Sequence, residues 1–188
     1  MAVVEPAPLT SYFRAMGSDV VLVIDGPAHL LDAAESRVEE LERSWSRFLP
    51  DSDVSLMNLA ADWVTVSPDT IMLVDHAVSA WRLTNGAFDP TVLSSLVANG
   101  YVDSHTNVAG HTELSQPART GPAPGPAGIE IDRTASRIRL DDGVGFDPGG
   151  IGKGLAADLV ATELLNRDRP GIAEATRHRL GGEVLGTD

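Results

Sequence analysis

This sequence contains no cysteine. Disulfide frameworks, thiolate metal sites and cysteine nucleophiles are thereby excluded, while the redox compartment stays open. Basic residues are also scarce: 14 Lys plus Arg stand against 27 Asp plus Glu in 188 residues, a formal net charge of −13. That excess argues against a nucleic-acid backbone as partner, because both surfaces would repel. The acids are spread along both halves without a like-charge block, the pattern of a solvated surface rather than an interaction tail. Long apolar runs are missing too. The longest, such as Val20 to Ile24, fall far short of the ~20 residues a membrane span needs. The amino terminus lacks a charged-then-apolar leader, so a cytoplasmic location is expected. Lysine is the scarcest cation. Lys153 is the only one in the chain.

What is present suffices for a core: 43% of residues are apolar, and a prior of roughly 150 residues per domain gives one domain over 1–188. Residues 9–16 and 19–24 read as strands broken at Gly17-Ser18. From Pro27, Leu30, Leu31, Ala34, Val38, Leu41, Trp45 and Phe48 recur at helical spacing, with acids and arginines filling the other side. Pro50 and the Asp51-Ser52-Asp53 cluster stop that helix and can cap a short successor through Asn58. A short strand follows at 63–66. Ser67-Pro68-Asp69 then opens a second long helix with a serine cap, a first-position proline and an acid near the positive dipole end, and Asn85-Gly86 closes it.

A turn over 86–92 leads to a short helix ending at Asn99. Residues 103–128 have no period and are rich in Gly, Pro, Thr and Ser, so a long surface loop is expected. A hairpin over 129–131 and 136–140 follows. The last unit reads as a short strand over 144–147, the turn Pro148-Gly-Gly-Ile-Gly-Lys-Gly154, and a helix through Leu155, Leu159, Val160, Leu164 and Leu165. Strand, glycine turn and helix together form a cradle for phosphate, whose oxygens meet the unpaired N–H groups of the first helical turn.

That turn is not a Walker A loop. Asp147 stands where the first glycine belongs and Gly154 where Ser or Thr belongs. Nor is it a dinucleotide fingerprint, since Leu155 replaces the third glycine. Two readings stay open: a bend that packs a helix close to a sheet, or an anion site. A lysine beside the positive end of a helix dipole is costly without a negative partner, and Asp147 is either that partner or a group that orients a ligand. The segments around Met16, Ser44–Asn58 and Asp89-Pro90-Thr91 each also have a bland reading, as core filler, helix caps and a turn.

In order, these segments resemble the ApbE family of flavin transferases. The matching stretches are Met16-Gly17-Ser18, the Ser46–Asn58 run, Asn85-Gly-Ala-Phe-Asp-Pro-Thr-Val92, Phe146-Asp-Pro-Gly-Gly-Ile-Gly-Lys-Gly154 with Asp158, and Gly181-Gly182. The resemblance implies an α+β fold of mixed, mostly antiparallel sheets with flanking amphipathic helices. It implies FAD contacts from Met16, Phe48, Ala87, Phe88, Asp89, Asp147 and Lys153, and a magnesium ion bound by the backbone carbonyl of Gly150. It names no catalytic side chain here.

The implied reaction moves FMN from FAD onto a threonine hydroxyl of an acceptor protein and releases AMP, with catalysis by positioning and by charge on the phosphoryl oxygens. Water in place of threonine makes it an FAD pyrophosphatase giving FMN and AMP. Other readings are a non-catalytic FAD-binding module and a structural domain that keeps the fold alone. Family members continue beyond the Gly-Gly pair with a histidine-containing segment and a late Asp-Ala-x-x-Thr segment that completes the magnesium site. Neither occurs here, so the domain is expected to be C-terminally incomplete. Residues 173–180 are too polar for the buried strand the resemblance implies, His178 precedes Gly181 instead of following it, and Glu183 stands where Asp is usual.

Overall fold

The computed structural model describes residues 7–103 and 111–168. The expected features at 173–183 therefore lie outside the described residues. Strands β1 (Leu9–Ala15) and β2 (Ser18–Ile24) form an antiparallel hairpin with Ala15 opposite Ser18. The connecting pair is Met16-Gly17, one residue earlier than the break expected at Gly17-Ser18. Both have positive φ, 51° and 71°, which matches the primed turns whose twist suits a two-residue hairpin. Alternation along β2 turns Val20, Leu22 and Ile24 towards the core and leaves Val21 and Val23 exposed.

Helix α1 (His29–Trp45) lies against this hairpin and buries Leu30, Ala34, Val38, Leu41 and Trp45 along the expected stripe. Phe48 falls outside it: the chain turns extended at Ser46, whose carbonyl accepts from Ser52 Oγ at 2.6 Å, so Phe48 sits in a turn. Ser52 also caps α2 (Asp53–Leu59) by accepting from Ser55 N. Asp53 reaches forward to the next long helix, α3 (Pro68–Leu83). Its Oδ2 accepts from Ser67 N, Ser67 Oγ and Thr70 Oγ1, which satisfies groups at the start of that helix. The α3 end is closed by Asn85 and Gly86, both at positive φ.

Strands β3 (Val64–Thr65), β4 (Ile129–Asp132) and β5 (Arg137–Leu140) make a second antiparallel sheet in the order β3-β5-β4. Helix α4 (Leu93–Ala98) precedes the irregular stretch, and α5 (Gly152–Asp168) packs along α1. Arg37 ties three helices together by pairing with Asp69 of α3, Glu163 of α5 and its own neighbour Glu40. Asp69 first, and then Glu163, raise its pKa further against the opposing effect of burial. The core between the sheets and helices includes Leu41, Met57, Leu73, Val74, Ile138 and Phe146. The chain is thus an α+β fold of helices and antiparallel sheets.

The strand expected over 144–147 does not form. Its backbone is held instead by side-chain and turn groups. Asn58 donates through Nδ2 to Phe146 O at 2.9 Å and accepts from Phe146 N through Oδ1 at 2.8 Å, while Asp147 N donates to Pro90 O at 2.8 Å. A side chain thereby replaces one rung of a ladder. No helix among the described residues is long and apolar enough to cross a membrane.

Candidate functional site

A cleft of about 140 Å³ opens where the β1–β2 turn, the end of α1 and the start of α5 converge. Met16, Phe48, Asp147 and Lys153 of the expected site line it together, beside Glu42, Trp45, Arg47 and Tyr101. Met16 is brought there by its turn, and its N–H donates to Glu42 Oε1 at 2.7 Å. Its left-handed backbone costs a non-glycine residue about 1–2 kcal/mol, a kind of strain that concentrates at ligand sites. The indole N–H of Trp45 is buried without a hydrogen-bond partner among the described residues, a donor still to be satisfied.

The glycine turn forms the opposite wall. Gly149 N donates to Asp147 Oδ1 at 2.8 Å, and a Cβ on Gly149 would fall 2.7 Å from that same oxygen, so only glycine lets the carboxylate close over the turn. Asp147 is not the partner of Lys153. Its Oδ2 accepts from Arg47 Nε at 2.8 Å, with Arg47 and Asp147 only 5% and 7% exposed. A buried guanidinium is the stronger competitor, because it satisfies the carboxylate while its remaining donors reach other acceptors. Burial pulls the Arg47 pKa down and the Asp147 charge opposes that shift. Arginine stays protonated nonetheless.

Lys153 donates to Ser18 Oγ at 3.1 Å and makes no ion pair among the described residues. Its charge therefore adds to the positive end of the α5 dipole instead of being cancelled. An anion is the group that such a position stabilises.

The remaining expected residues lie off this cleft. Asp89 Oδ1 accepts from Thr91 N at 2.8 Å and from Thr91 Oγ1, and Thr91 in turn accepts from Gly125 N, so Asp89 is engaged in a local turn. Ala87 is exposed. Phe88 connects the two regions: a Cβ added to Gly150 would fall 2.7 Å from Phe88 Cε2. Gly150→Ala should thus destabilise the protein by about 1–3 kcal/mol through overpacking, and should cost much less when introduced into Phe88→Ala, where the ring is gone. Thermal melts of the two single variants and the double variant check this, and an equal cost of Gly150→Ala in both backgrounds would show that the ring is not the obstacle.

Magnesium does not fit the described residues. No three of His, Cys, Asp and Glu are grouped to hold a metal, and one Gly150 carbonyl is far short of an octahedral oxygen shell. Any such site needs ligands from outside them.

Arg47 is a site residue that no motif in the sequence marks. One signal was available: a charge inside the apolar run Trp45-Ser-Arg-Phe-Leu49 must find a partner if that run is buried. Thr112 and Tyr101, which contact Arg47, carried no comparable mark.

Solved structures share this architecture. An ApbE protein from Thermotoga maritima is 25% identical, with a TM-score of 0.68 over 85% of this chain and 53% of that one. The flavinyl transferase ApbE of Pseudomonas stutzeri is 23% identical, with a TM-score of 0.66 over 87% of this chain and 56% of that one. The flavin transferase ApbE of Vibrio cholerae is 22% identical, with a TM-score of 0.66 over 86% and 54% respectively. The chain spans little more than half the length of these structures. No curated protein matches it. The ApbE family model, however, matches residues 16–185 and so takes in every residue of the cleft: the chain belongs to the ApbE family.

Proposed function

We propose that this chain is the FAD-binding part of an FMN transferase, which moves FMN from FAD to a threonine hydroxyl of an acceptor protein and releases AMP. The observation that carries the reading is the convergence of Met16, Phe48, Asp147 and Lys153 on one cleft at the start of α5 in a chain of this family. Met16 and Phe48 supply apolar surface for a planar ring. Lys153, unpaired by any acid among the described residues, meets the pyrophosphate as a compact ammonium. Ala87, Phe88 and Asp89 serve FAD from the adjoining turn, and the Gly150 carbonyl would be one ligand to a magnesium ion only if the others came from outside the described residues.

The threonine oxygen attacks the FMN-side phosphorus. The bond from that phosphorus to the bridging oxygen breaks, and AMP leaves with that oxygen while the hydroxyl proton is released. The chain's own contribution is placement and charge: Lys153 draws electron density from the phosphoryl oxygens, and the fixed glycine turn holds the pyrophosphate in line. The domain is proposed to cover the whole chain, with ligands that complete the metal site coming from outside the described residues.

Incubation with FAD, Mg²⁺ and a threonine-containing acceptor, read by in-gel flavin fluorescence and AMP release, tests the activity. Free FMN in place of labelled acceptor would assign the pyrophosphatase reaction instead, and absence of FAD binding would remove both. Lys153→Ala should weaken FAD binding about 10–100-fold, the worth of a charge-assisted hydrogen bond. Lys153→Arg should restore only part of it, because the planar fork does not fit a site shaped for an ammonium. Wild-type affinity in both variants would sink the role given to Lys153.

A further inference from the structure

We propose that Arg47 is the positioning residue of this cleft: it locks the Asp147 carboxylate on one wall to Tyr101 and Thr112 on the other, leaving Lys153 as the cation that meets an anionic ligand. The proposal rests on the FAD-binding reading for the identity of that ligand and on geometry alone for the locking.

Arg47 uses its donors in three directions. Nε donates to Asp147 Oδ2 at 2.8 Å, Nη1 to Thr112 Oγ1 at 2.6 Å and Nη2 to the Tyr101 carbonyl at 3.0 Å. The rings of Phe48 and Tyr101 lie 4.3 and 4.4 Å from its guanidinium carbon and meet each other edge to face. Thr112 N donates to Val102 O and Asp103 bridges to His111, which brings Thr112 beside Tyr101, and the glycine turn has no strand before it. Arg47 is thus the group that fixes their separation.

The electrostatic consequence follows from charge counting at the wall. Paired with Arg47, Asp147 presents no net charge to the cleft. Deprived of Arg47, it would face a pyrophosphate as a like charge in a poorly hydrated place, and it would compete for Lys153. Lysine cannot take over, since an ammonium on a flexible stem does not span three acceptors in one plane.

The test uses the full chain with Arg47→Lys and Thr112→Val, FAD titration, and amide hydrogen exchange without ligand. Arg47→Lys should retain the far-UV circular dichroism of the wild type, bind FAD at least tenfold more weakly, and exchange faster around Tyr101 and around Gly149 while α3 is unchanged. Thr112→Val, which removes one Arg47 contact and no charge, should speed exchange around Tyr101 alone and weaken FAD binding a few-fold. In Arg47→Ala, guanidinium ion at millimolar concentration should recover part of the lost affinity without a matching rise in thermal stability, a combination that a purely structural role would not produce. FAD affinity in Arg47→Lys within twofold of wild type overturns the proposal. If the wild type binds no FAD, the functional reading falls and exchange alone decides: unchanged rates around Tyr101 and Gly149 overturn the locking role. If Arg47→Lys does not fold, unchanged exchange and affinity in Thr112→Val do the same.

Discussion

Asp147→Ala should lower the unfolding free energy by about 3–5 kcal/mol, the usual cost of leaving one member of a buried ion pair uncompensated. Arg47 would then be a charge at 5% exposure with its Nε donor facing a void. Two smaller losses add to this. The Gly149 N–H loses its acceptor, and the glycine turn loses the contact that sets its shape. Most of the penalty is the stranded guanidinium rather than the net worth of the pair. A double replacement, Arg47→Met with Asp147→Ala, should therefore cost less than Asp147→Ala alone. Urea unfolding of the two variants measures both quantities. A loss under about 1 kcal/mol for Asp147→Ala would mean that water reaches Arg47 freely and that the pair is a surface one.

Asn58→Leu carries the second large effect, an expected loss of about 2–5 kcal/mol. Asn58 and Phe146 are both buried, and the Asn58 amide satisfies both the N–H and the C=O of Phe146. Leucine has the same branching and number of heavy atoms but neither a donor nor an acceptor, so two backbone groups stay dry and unpaired, at about 1–3 kcal/mol each. Asn58→Asp tests the geometry separately, since it keeps the acceptor for Phe146 N and loses the donor to Phe146 O. Its loss should come from one bond, plus the desolvation of a buried carboxylate. Denaturant midpoints with unchanged m-values are the measurement. If Asn58→Leu stays within 0.5 kcal/mol of wild type by that measure, water replaces the amide, and residues 144–147 are not pinned as described.

The two variants also separate stability from function. Asn58 lies away from the cleft and supports the chain that enters the glycine turn, whereas Asp147 forms its wall. Loss of FAD binding in Asn58→Leu under conditions where it is folded would show that the approach to the turn must be rigid for binding.

Much of this was legible in the sequence because the relevant forces act over a few residues. The α1 stripe as far as Trp45, the cap that the 51–53 cluster supplies through Ser52, the Ser67 cap and the Asn85-Gly86 stop are set by periodicity, local hydrogen bonding and left-handed backbone preference, and these form as the sequence implies. Small differences arose where two local rules compete. Gly17 alone marks the first turn, but a two-residue primed loop needs a second positive φ, and the pairing register gives it to Met16 rather than to Ser18. Residues 144–147 read as a short strand before the glycine turn, yet Asn58 and Pro90 take the backbone groups of Phe146 and Asp147 instead.

The candidate site divides along the same line. Its glycine turn, its single lysine and its family resemblance are properties of contiguous residues, so the sequence by itself determined them. The partnership of Arg47 with Asp147, the release of Lys153 from any acid among the described residues and the separation of Asp89 from the cleft were decided only by the tertiary structure. A buried charge takes the partner that packing brings within reach, and packing joins residues whose distance along the chain carries no signal of it.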